Sequence, residues 1–170
     1  MTSRSPSTSS SANTPKGLPD FSHSLPMALL KARESVMARF RPSLRQHDIT
    51  EQQWRVLRAM ASVGEIEVTH LAEMVFLLPP SLSRILKDLT ARGLLARRLS
   101  QADMRRSLVT LTDEGRALIA KVTPYSEKVY ADIEQMFGSQ ELHDLCTRLA
   151  ALEKALTEGR SAALQPGAED

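Results

Sequence analysis

The chain has 170 residues, of which 25% are charged, 42% are hydrophobic and only 4% are aromatic, a composition that predicts one globular domain with an aliphatic core. No apolar run approaches the roughly 18 residues of a membrane-spanning helix, and a single cysteine, Cys146, excludes an internal disulfide. Without a hydrophobic leader we expect a cytoplasmic protein, and four scattered histidines predict neither a metal site nor a cofactor.

Both ends of the chain predict disordered tails. Residues 1–23 are rich in Ser, Thr and Pro and have little to bury. A transit peptide is the alternative, but Pro6, Pro15 and Pro19 oppose the amphipathic helix that it needs. After Thr157 the helical periodicity is lost, so residues 158–170 are predicted to form a second tail.

Helical periodicity dominates the first half of the domain. An apolar stripe predicts a helix over residues 24–47, bent at Pro42. Thr50 and Gln53 form a T-x-x-Q capping box, with Ile49 and Trp54 at the positions of a hydrophobic staple, and they predict a helix over 51–62. A short helix around 68–75 follows.

A second short helix follows the proline pair 79–80 and ends at Gly93, so the two helices predict a helix-turn-helix. One face of the second helix is aliphatic, at Leu82, Ile85, Leu86 and Leu89. The opposite face and the first turn carry hydroxyls and cations, at Ser81, Ser83, Arg84 and Lys87.

The segments LLARRL, SQADMRR and SLVTL then predict two strands joined by a charged loop, which makes the unit a winged helix-turn-helix. Between Arg84 and Arg106 the sequence carries seven Lys or Arg and two Asp, a net charge of +5, whereas the whole chain nets +2. Such a concentration of cations favours a polyanionic partner whose counterions can be released. The alternative is a solvated hairpin whose arginines serve solubility.

Two long helices complete the chain. Thr112 caps one that reaches Phe137, with a kink near Pro124, and the last begins at Ser139. Its leucines follow a heptad seam, at Leu142, Leu145, Leu149, Leu152 and Leu156. An ordinary core-facing stripe is the alternative. We expect dimerisation, because the terminal helices 24–47 and 112–157 flank a unit at about 50–112 and have little else to cover them.

From about Leu25 to Leu156 the chain resembles the MarR family of bacterial winged-helix regulators. The likeness is carried by ITEQQWRVLRAM, LAEMV, SLSRILKDLTARGLL and, most specifically, DMRRSLVTLTDEG. Two further segments are similar to the branch that regulates homoprotocatechuate (4-hydroxyphenylacetate) degradation operons. The resemblance implies a mainly α winged-helix homodimer that represses transcription at a palindromic operator and is released by an aromatic acid.

The resemblance also implies roles on DNA. The major groove would receive Ser81, Ser83, Arg84 and Lys87. Arg105, held by Asp103, would enter the minor groove. Phosphates would be met by Arg97, Arg98 and Arg106. Asp88 would repel phosphate unless it pairs with Arg84 or Arg92, and Pro79 offers the recognition helix no capping side chain.

Arg33 is the candidate effector anchor, because it falls on the apolar stripe of the first helix and needs an anion there. A carboxylate ligand would meet that need, next to Met37 and against Trp54. A structural ion pair or snorkelling is the alternative for Arg33, and the staple already accounts for Trp54. By resemblance the effector is 4-hydroxyphenylacetate, 3,4-dihydroxyphenylacetate or a close relative.

Other functions stay open at this point. The regulator could serve another aromatic or stress response, or the winged helix could be a protein-interaction module. An enzyme is the weakest alternative, because the sequence contains no Ser-His-Asp set, glycine-rich phosphate loop or metal cluster. Some relatives sense oxidants through cysteine, but Cys146 lies among leucines of the last helix, so we expect a buried, inert thiol.

Overall fold

A computed structural model describes residues 20–101 and 103–163, with side chains up to residue 159. A 3-10 turn (Phe21–His23) leads into the helices α1 (Leu25–Gln46), α2 (Glu51–Ser62), α3 (Val68–Met74), α4 (Pro79–Ala91), α5 (Asp113–Phe137) and α6 (Ser139–Ala163). The strands are β1 (Glu65–Glu67), β2 (Leu95–Leu99) and β3 (Ser107–Leu111), antiparallel in the order β1-β3-β2. None of the described helices combines the length and hydrophobicity needed to cross a bilayer.

The predicted mainly α winged helix-turn-helix is confirmed, and so are the capping residues predicted for α2 and α5. Gln53 N donates to Thr50 Oγ1 (3.2 Å) and Thr50 N donates to Gln53 Oε1 (2.8 Å), so both halves of the capping box are present. Ile49 and Trp54 are buried beside it. Thr112 caps α5 by accepting from Gly115 N (3.0 Å).

The core lies where α2, α3 and α4 meet the sheet. All four predicted core residues of α4 are buried, namely Leu82, Ile85, Leu86 and Leu89. Val109, on the central strand β3, is fully buried in the same core. This packing leaves the polar face of α4 and the far end of the wing outside the core.

Gly115 allows α5 to approach the base of the wing closely. A Cβ atom at this position would lie 2.3 Å from the carbonyl oxygen of Leu94 and 2.6 Å from Cδ1 of Leu111. Only glycine fits this contact without a shift of the backbone. The glycine of the segment LTDEG therefore has a packing role that joins the long helix to the sheet.

The structure adds a strand that the sequence did not reveal. β1, the segment Glu-Ile-Glu, pairs with β3 so that Ile66 lies opposite Val109. Three residues are too few for an alternating pattern to be recognised, and the strand exists because β3 offers a free edge. The wing is therefore a three-stranded sheet rather than an isolated hairpin.

The predicted tails are wrong at their inner ends. Helix α6 continues past Thr157 to Ala163, because the segment EGRSAA contains good helix formers and adding residues to an existing helix costs little. At the other end, Asp20 accepts hydrogen bonds from Ser22 (2.7 Å) and His23 (2.8 Å) and orders the turn Phe21–His23. The rest of both predicted tails, residues 1–19 and 164–170, lies outside the described residues.

The long helix α6 follows α5 after Gly138 and leaves much of its apolar seam uncovered in a single chain. Leu145 is 41% exposed, Leu149 38% and Leu156 65%. Cys146 on the same helix is exposed as well, so the expectation of a buried thiol is wrong for the single chain. An uncovered leucine seam favours the heptad interpretation over an ordinary core stripe.

Candidate nucleic-acid interface and ligand pocket

Helix α4 presents an exposed polar and cationic face. Ser83, Arg84 and Lys87 are exposed and Ser81 is half-buried. Within the described residues, neither Arg84 nor Lys87 has an acidic partner, so both charges are available to an anion. Leu78, the N-cap residue of α4, forms no side-chain capping bond, and Pro79 begins the helix without a capping side chain, as the sequence predicts.

Asp88 lies on α4 beside these cations, and its charge is partly balanced. It forms an ion pair with Arg92 (3.8 Å) and accepts a hydrogen bond from Gln53 Nε2 (2.7 Å). Of the two partners predicted for it, the structure shows Arg92. Repulsion between Asp88 and a phosphate is reduced accordingly.

The loop at the wing tip is organised by Asp103. Its carboxylate oxygen Oδ1 accepts from the backbone N of Arg105 (2.9 Å), and its carbonyl accepts from the backbone N of Arg106 (2.9 Å). Asp103 therefore holds the backbone of the loop rather than the Arg105 guanidinium. The Arg105 side chain is exposed and has no acidic partner in the part of the chain that the structure describes.

The other wing arginines differ in their availability. Arg98 forms a two-point ion pair with Glu65, and Arg106 meets Glu67 (3.3 Å) and Asp103 (3.5 Å). Arg97 donates to the hydroxyl of Ser107 (3.1 and 3.3 Å) and has no acidic partner within the residues that the structure describes. Arg97 is thus the least occupied of the three, while strand β1 supplies acids that hold the other two.

A cavity of about 350 Å³ lies between α1, α2 and α5, large enough for a small ligand. The structure brings the three predicted ligand residues, Arg33, Met37 and Trp54, together in its lining. Its other lining residues are Phe40, Glu51, Arg55, Arg58, Ser126 and Tyr130. Three arginines against one glutamate give the lining a net positive charge.

Arg33 takes part in an ion network at the cavity rim. It donates to Glu34 (2.6 Å) and to Glu51 (2.9 Å), and Arg41 pairs with the same two carboxylates. The hydrogen bond from Arg41 lowers the pKa of Glu34, and the two glutamates raise the pKa of Arg41. The structural ion pair, the alternative predicted for Arg33, is therefore present.

Arg58, which was not predicted from the sequence, lies over the Trp54 ring with its Cζ atom 5.9 Å from the ring centroid. Within the described residues Arg58 has no acidic partner, whereas Arg55 donates to the carbonyl of Val75 (3.1 Å). The four-residue spacing of Trp54 and Arg58 on one helix was a usable signal. Tyr130, which packs edge-on against Phe40, comes from α5 and gave no such signal.

Comparison with known proteins gives a consistent result. Residues 47–106 match the model of the MarR family. The chain is 38% identical over 136 residues to the HTH-type transcriptional regulator FarR of Neisseria gonorrhoeae, covering 78% of this chain and 93% of the relative. It is also 38% identical over 138 residues to the homoprotocatechuate degradative operon repressor of Escherichia coli, covering 81% and 91%.

Solved structures show the same fold. NadR in complex with 4-hydroxyphenylacetate superposes with a TM-score of 0.70 at 36% identity, covering 79% of this chain and 96% of that one. The repressor CouR bound to a 23-mer DNA duplex superposes with a TM-score of 0.71 at 27% identity, covering 78% and 94%. With its capped helix-turn-helix, its arginine-rich wing and relatives that match over most of its length, the chain belongs to the MarR family of transcriptional regulators.

Proposed function

We propose that the protein is a dimeric repressor that binds a palindromic operator and releases it when an aromatic carboxylic acid occupies the cavity between α1, α2 and α5. The observation that carries the DNA-binding part is the set of exposed cations on α4 and at the wing tip that have no acidic partner among residues 20–101 and 103–163. Family membership and the repressor function of the Escherichia coli relative support repression. The uncovered leucine seam of α6 supports the dimer.

On DNA, α4 would lie in the major groove. Arg84 would reach a guanine edge or a phosphate there, and Ser81, Ser83 and Lys87 would lie alongside. Arg105 would enter the minor groove, where a narrow A·T tract deepens the negative potential. Arg97 would bind phosphate directly, whereas Arg98 and Arg106 would first have to exchange Glu65 and Glu67 for phosphate.

The cavity suits an aromatic acid. Trp54, Phe40 and Tyr130 supply apolar and aromatic walls, and the surplus of arginine supplies the countercharge for a carboxylate. Arg58, which has no acidic partner in the described part of the chain, would bind that carboxylate more readily than Arg33, which already has two carboxylate partners. We propose 4-hydroxyphenylacetate or its 3,4-dihydroxy derivative, supported by the NadR complex and by the operon that the Escherichia coli relative represses.

As a regulator of transcription the protein would act in the cytoplasm, where the bacterial chromosome lies, and it would catalyse no reaction. The alternative is a regulator of this family that answers to another aromatic compound or to stress. A thermal-shift assay with a panel of hydroxylated aromatic acids separates these cases. The acid that binds most tightly should raise the melting temperature most, because a ligand stabilises the folded state to which it binds.

The central test is fluorescence anisotropy with a labelled duplex from the protein's own promoter region, titrated at several salt concentrations. We expect affinity to fall steeply with added salt, because each phosphate contact releases counterions. Addition of 4-hydroxyphenylacetate should then dissociate the complex. No binding even in dilute buffer would refute the DNA-binding role and leave the protein-interaction module as the better explanation.

A further inference from the structure

The first turn of α2 connects the cavity with the recognition helix α4. Glu51 and Trp54 line the cavity, and Gln53 lies between them in the same turn. The amide of Gln53 makes contacts in two directions, since Oε1 accepts from Thr50 N (2.8 Å) while Nε2 donates to Asp88 Oδ2 (2.7 Å). One side chain thus completes the cap of α2 and also holds α4.

A second tether holds the same half of α4. Arg92 donates from Nη1 to the carbonyl of Asp48 (2.8 Å) and from Nη2 to that of His47 (3.4 Å), and it lies 3.8 Å from the Asp88 carboxylate. Asp48 adopts a left-handed backbone conformation, with φ of 53°, at the sharp turn between α1 and α2. The position of α4 is therefore fixed by contacts with the segment 47–53 and not by the wing alone.

We propose that Gln53 and Asp88 are positioning residues that couple ligand binding in the cavity to the placement of α4 on DNA, an inference that rests on the proposed function. A ligand carboxylate near Arg33 and Arg58 competes with Glu51 for Arg33. Glu51 is the first residue of α2. Loss of its bond to Arg33 therefore displaces the turn that contains Gln53 and weakens the bond from Gln53 to Asp88. The ligand shifts the population of α4 because it binds better to the displaced state.

The chain offers a direct test of this bond. In the Gln53→Glu variant the carboxylate still accepts from Thr50 N, so the capping box survives, but it faces Asp88 with like charge. The Asp88→Asn variant keeps the bond, because the Asn oxygen can accept from Gln53. In the double variant Q53E/D88N the bond is restored in the opposite direction, from the Asn amide to the Glu carboxylate. Gln52→Glu is the matched control, because it adds the same charge to the same turn.

Affinity for the promoter duplex is measured first without any effector. We expect Q53E to bind the duplex at least about threefold more weakly than Q52E. In the D88N background the substitution Q53E should reduce the affinity no more than Q52E reduces it in the wild type. Thermal midpoints that match across the variants would show that the cap is intact. Equal affinities of Q53E and Q52E, or no rescue in the double variant, would overturn the proposal.

The same proteins are then titrated with 4-hydroxyphenylacetate. The factor by which the acid weakens DNA binding should be at least about threefold smaller in Q53E than in the wild type, and should recover in Q53E/D88N. An unchanged factor in Q53E overturns the coupling while leaving the effector proposal intact. A wild type that binds DNA but ignores the acid refutes the effector instead, and the effector-free comparison still decides the role of the bond. If the wild type binds no DNA, the inference fails together with the proposed function.

Discussion

The guanidinium of Arg98 meets the carboxylate of Glu65 at two points, with Nε to Oε1 at 2.8 Å and Nη2 to Oε2 at 2.7 Å. The pair spans the sheet from β2 to β1 across the central strand β3. Both side chains are partly exposed, so the bond contributes little stability and a phosphate can compete for the arginine.

Replacing Glu65 by Gln should therefore release Arg98 to DNA. We expect tighter operator binding and a log–log salt slope that steepens by about one, the value for one additional phosphate contact. Salt titrations of duplex binding measure the slope. In the double variant E65Q/R98Q the steepening should disappear, and a slope that stays steep there would show that Arg98 is not the group released.

Arg105 lies at the wing tip with an exposed side chain, and it has no acidic partner among the described residues. Arg105→Ala should weaken operator binding by about tenfold, or about 1.4 kcal/mol, because the loop that Asp103 organises would no longer place a charge in the minor groove. Arg116→Ala is the matched control, since Arg116 is exposed on α5 and pairs locally with Asp113 (3.0 Å). Anisotropy titrations in which both variants bind alike would exclude the role assigned to the wing tip.

The features that the sequence predicted correctly depend on residues close together in the chain. The capping box at Thr50 and the aliphatic face of α4 are written within one or two helical turns. The bonds from Gln53 to Asp88 and from Arg98 to Glu65 join residues 35 and 33 positions apart, so they follow only from the tertiary packing. Because β1 was not predicted, its acidic residues were not included in the net charge predicted for the wing.

The cavity shows the same division. Arg33 drew attention because a cation interrupts an apolar stripe, which is a local pattern. Arg58 is the better anchor because Arg33 is already paired with Glu34 and Glu51. These ion pairs could not be predicted from residue spacing in the sequence. The aromatic wall also needs Tyr130, which α5 brings from a distant part of the chain.

Arg58→Ala should therefore reduce the affinity for 4-hydroxyphenylacetate more than Arg33→Ala does. We expect a loss of about tenfold or more for Arg58, in the range of one hydrogen bond to a charged group. Isothermal titration calorimetry gives both affinities. Arg116→Ala again serves as control, and a greater loss for Arg33 would restore the anchor that the sequence indicated.

The ion network at the cavity rim predicts a dependence of stability on pH. The hydrogen bond from Arg41 lowers the pKa of Glu34 in the folded state below its usual 4.5. The unfolded state then binds more protons near and below that value, so the stabilisation is present above pH 4.5 and is lost as the pH falls through the lowered pKa.

Wild type and Glu34→Gln should accordingly differ in thermal midpoint at pH 6 and converge at acidic pH below the folded pKa. Differential scanning fluorimetry across this range measures the difference. In an Arg41→Met background the substitution at Glu34 should have a much smaller effect at pH 6. A difference between wild type and Glu34→Gln that stays constant with pH would show that the pair does not contribute to stability.

The leucine seam of α6 predicts the oligomeric state. Placing a charge at Leu145 or Leu149 should dissociate the dimer, because a glutamate there would be buried without a partner against the second subunit. Thr147→Glu, exposed on the same helix between the two seam positions, is the matched control. Light scattering coupled to size exclusion should report a monomer for Leu145→Glu and a dimer for Thr147→Glu and the wild type.

Because two half-sites of a palindrome must be bound together, the monomer should also lose most of its operator affinity. A wild type that is monomeric at micromolar concentration, or a Leu145→Glu variant that remains dimeric, would show that this seam does not hold the subunits together.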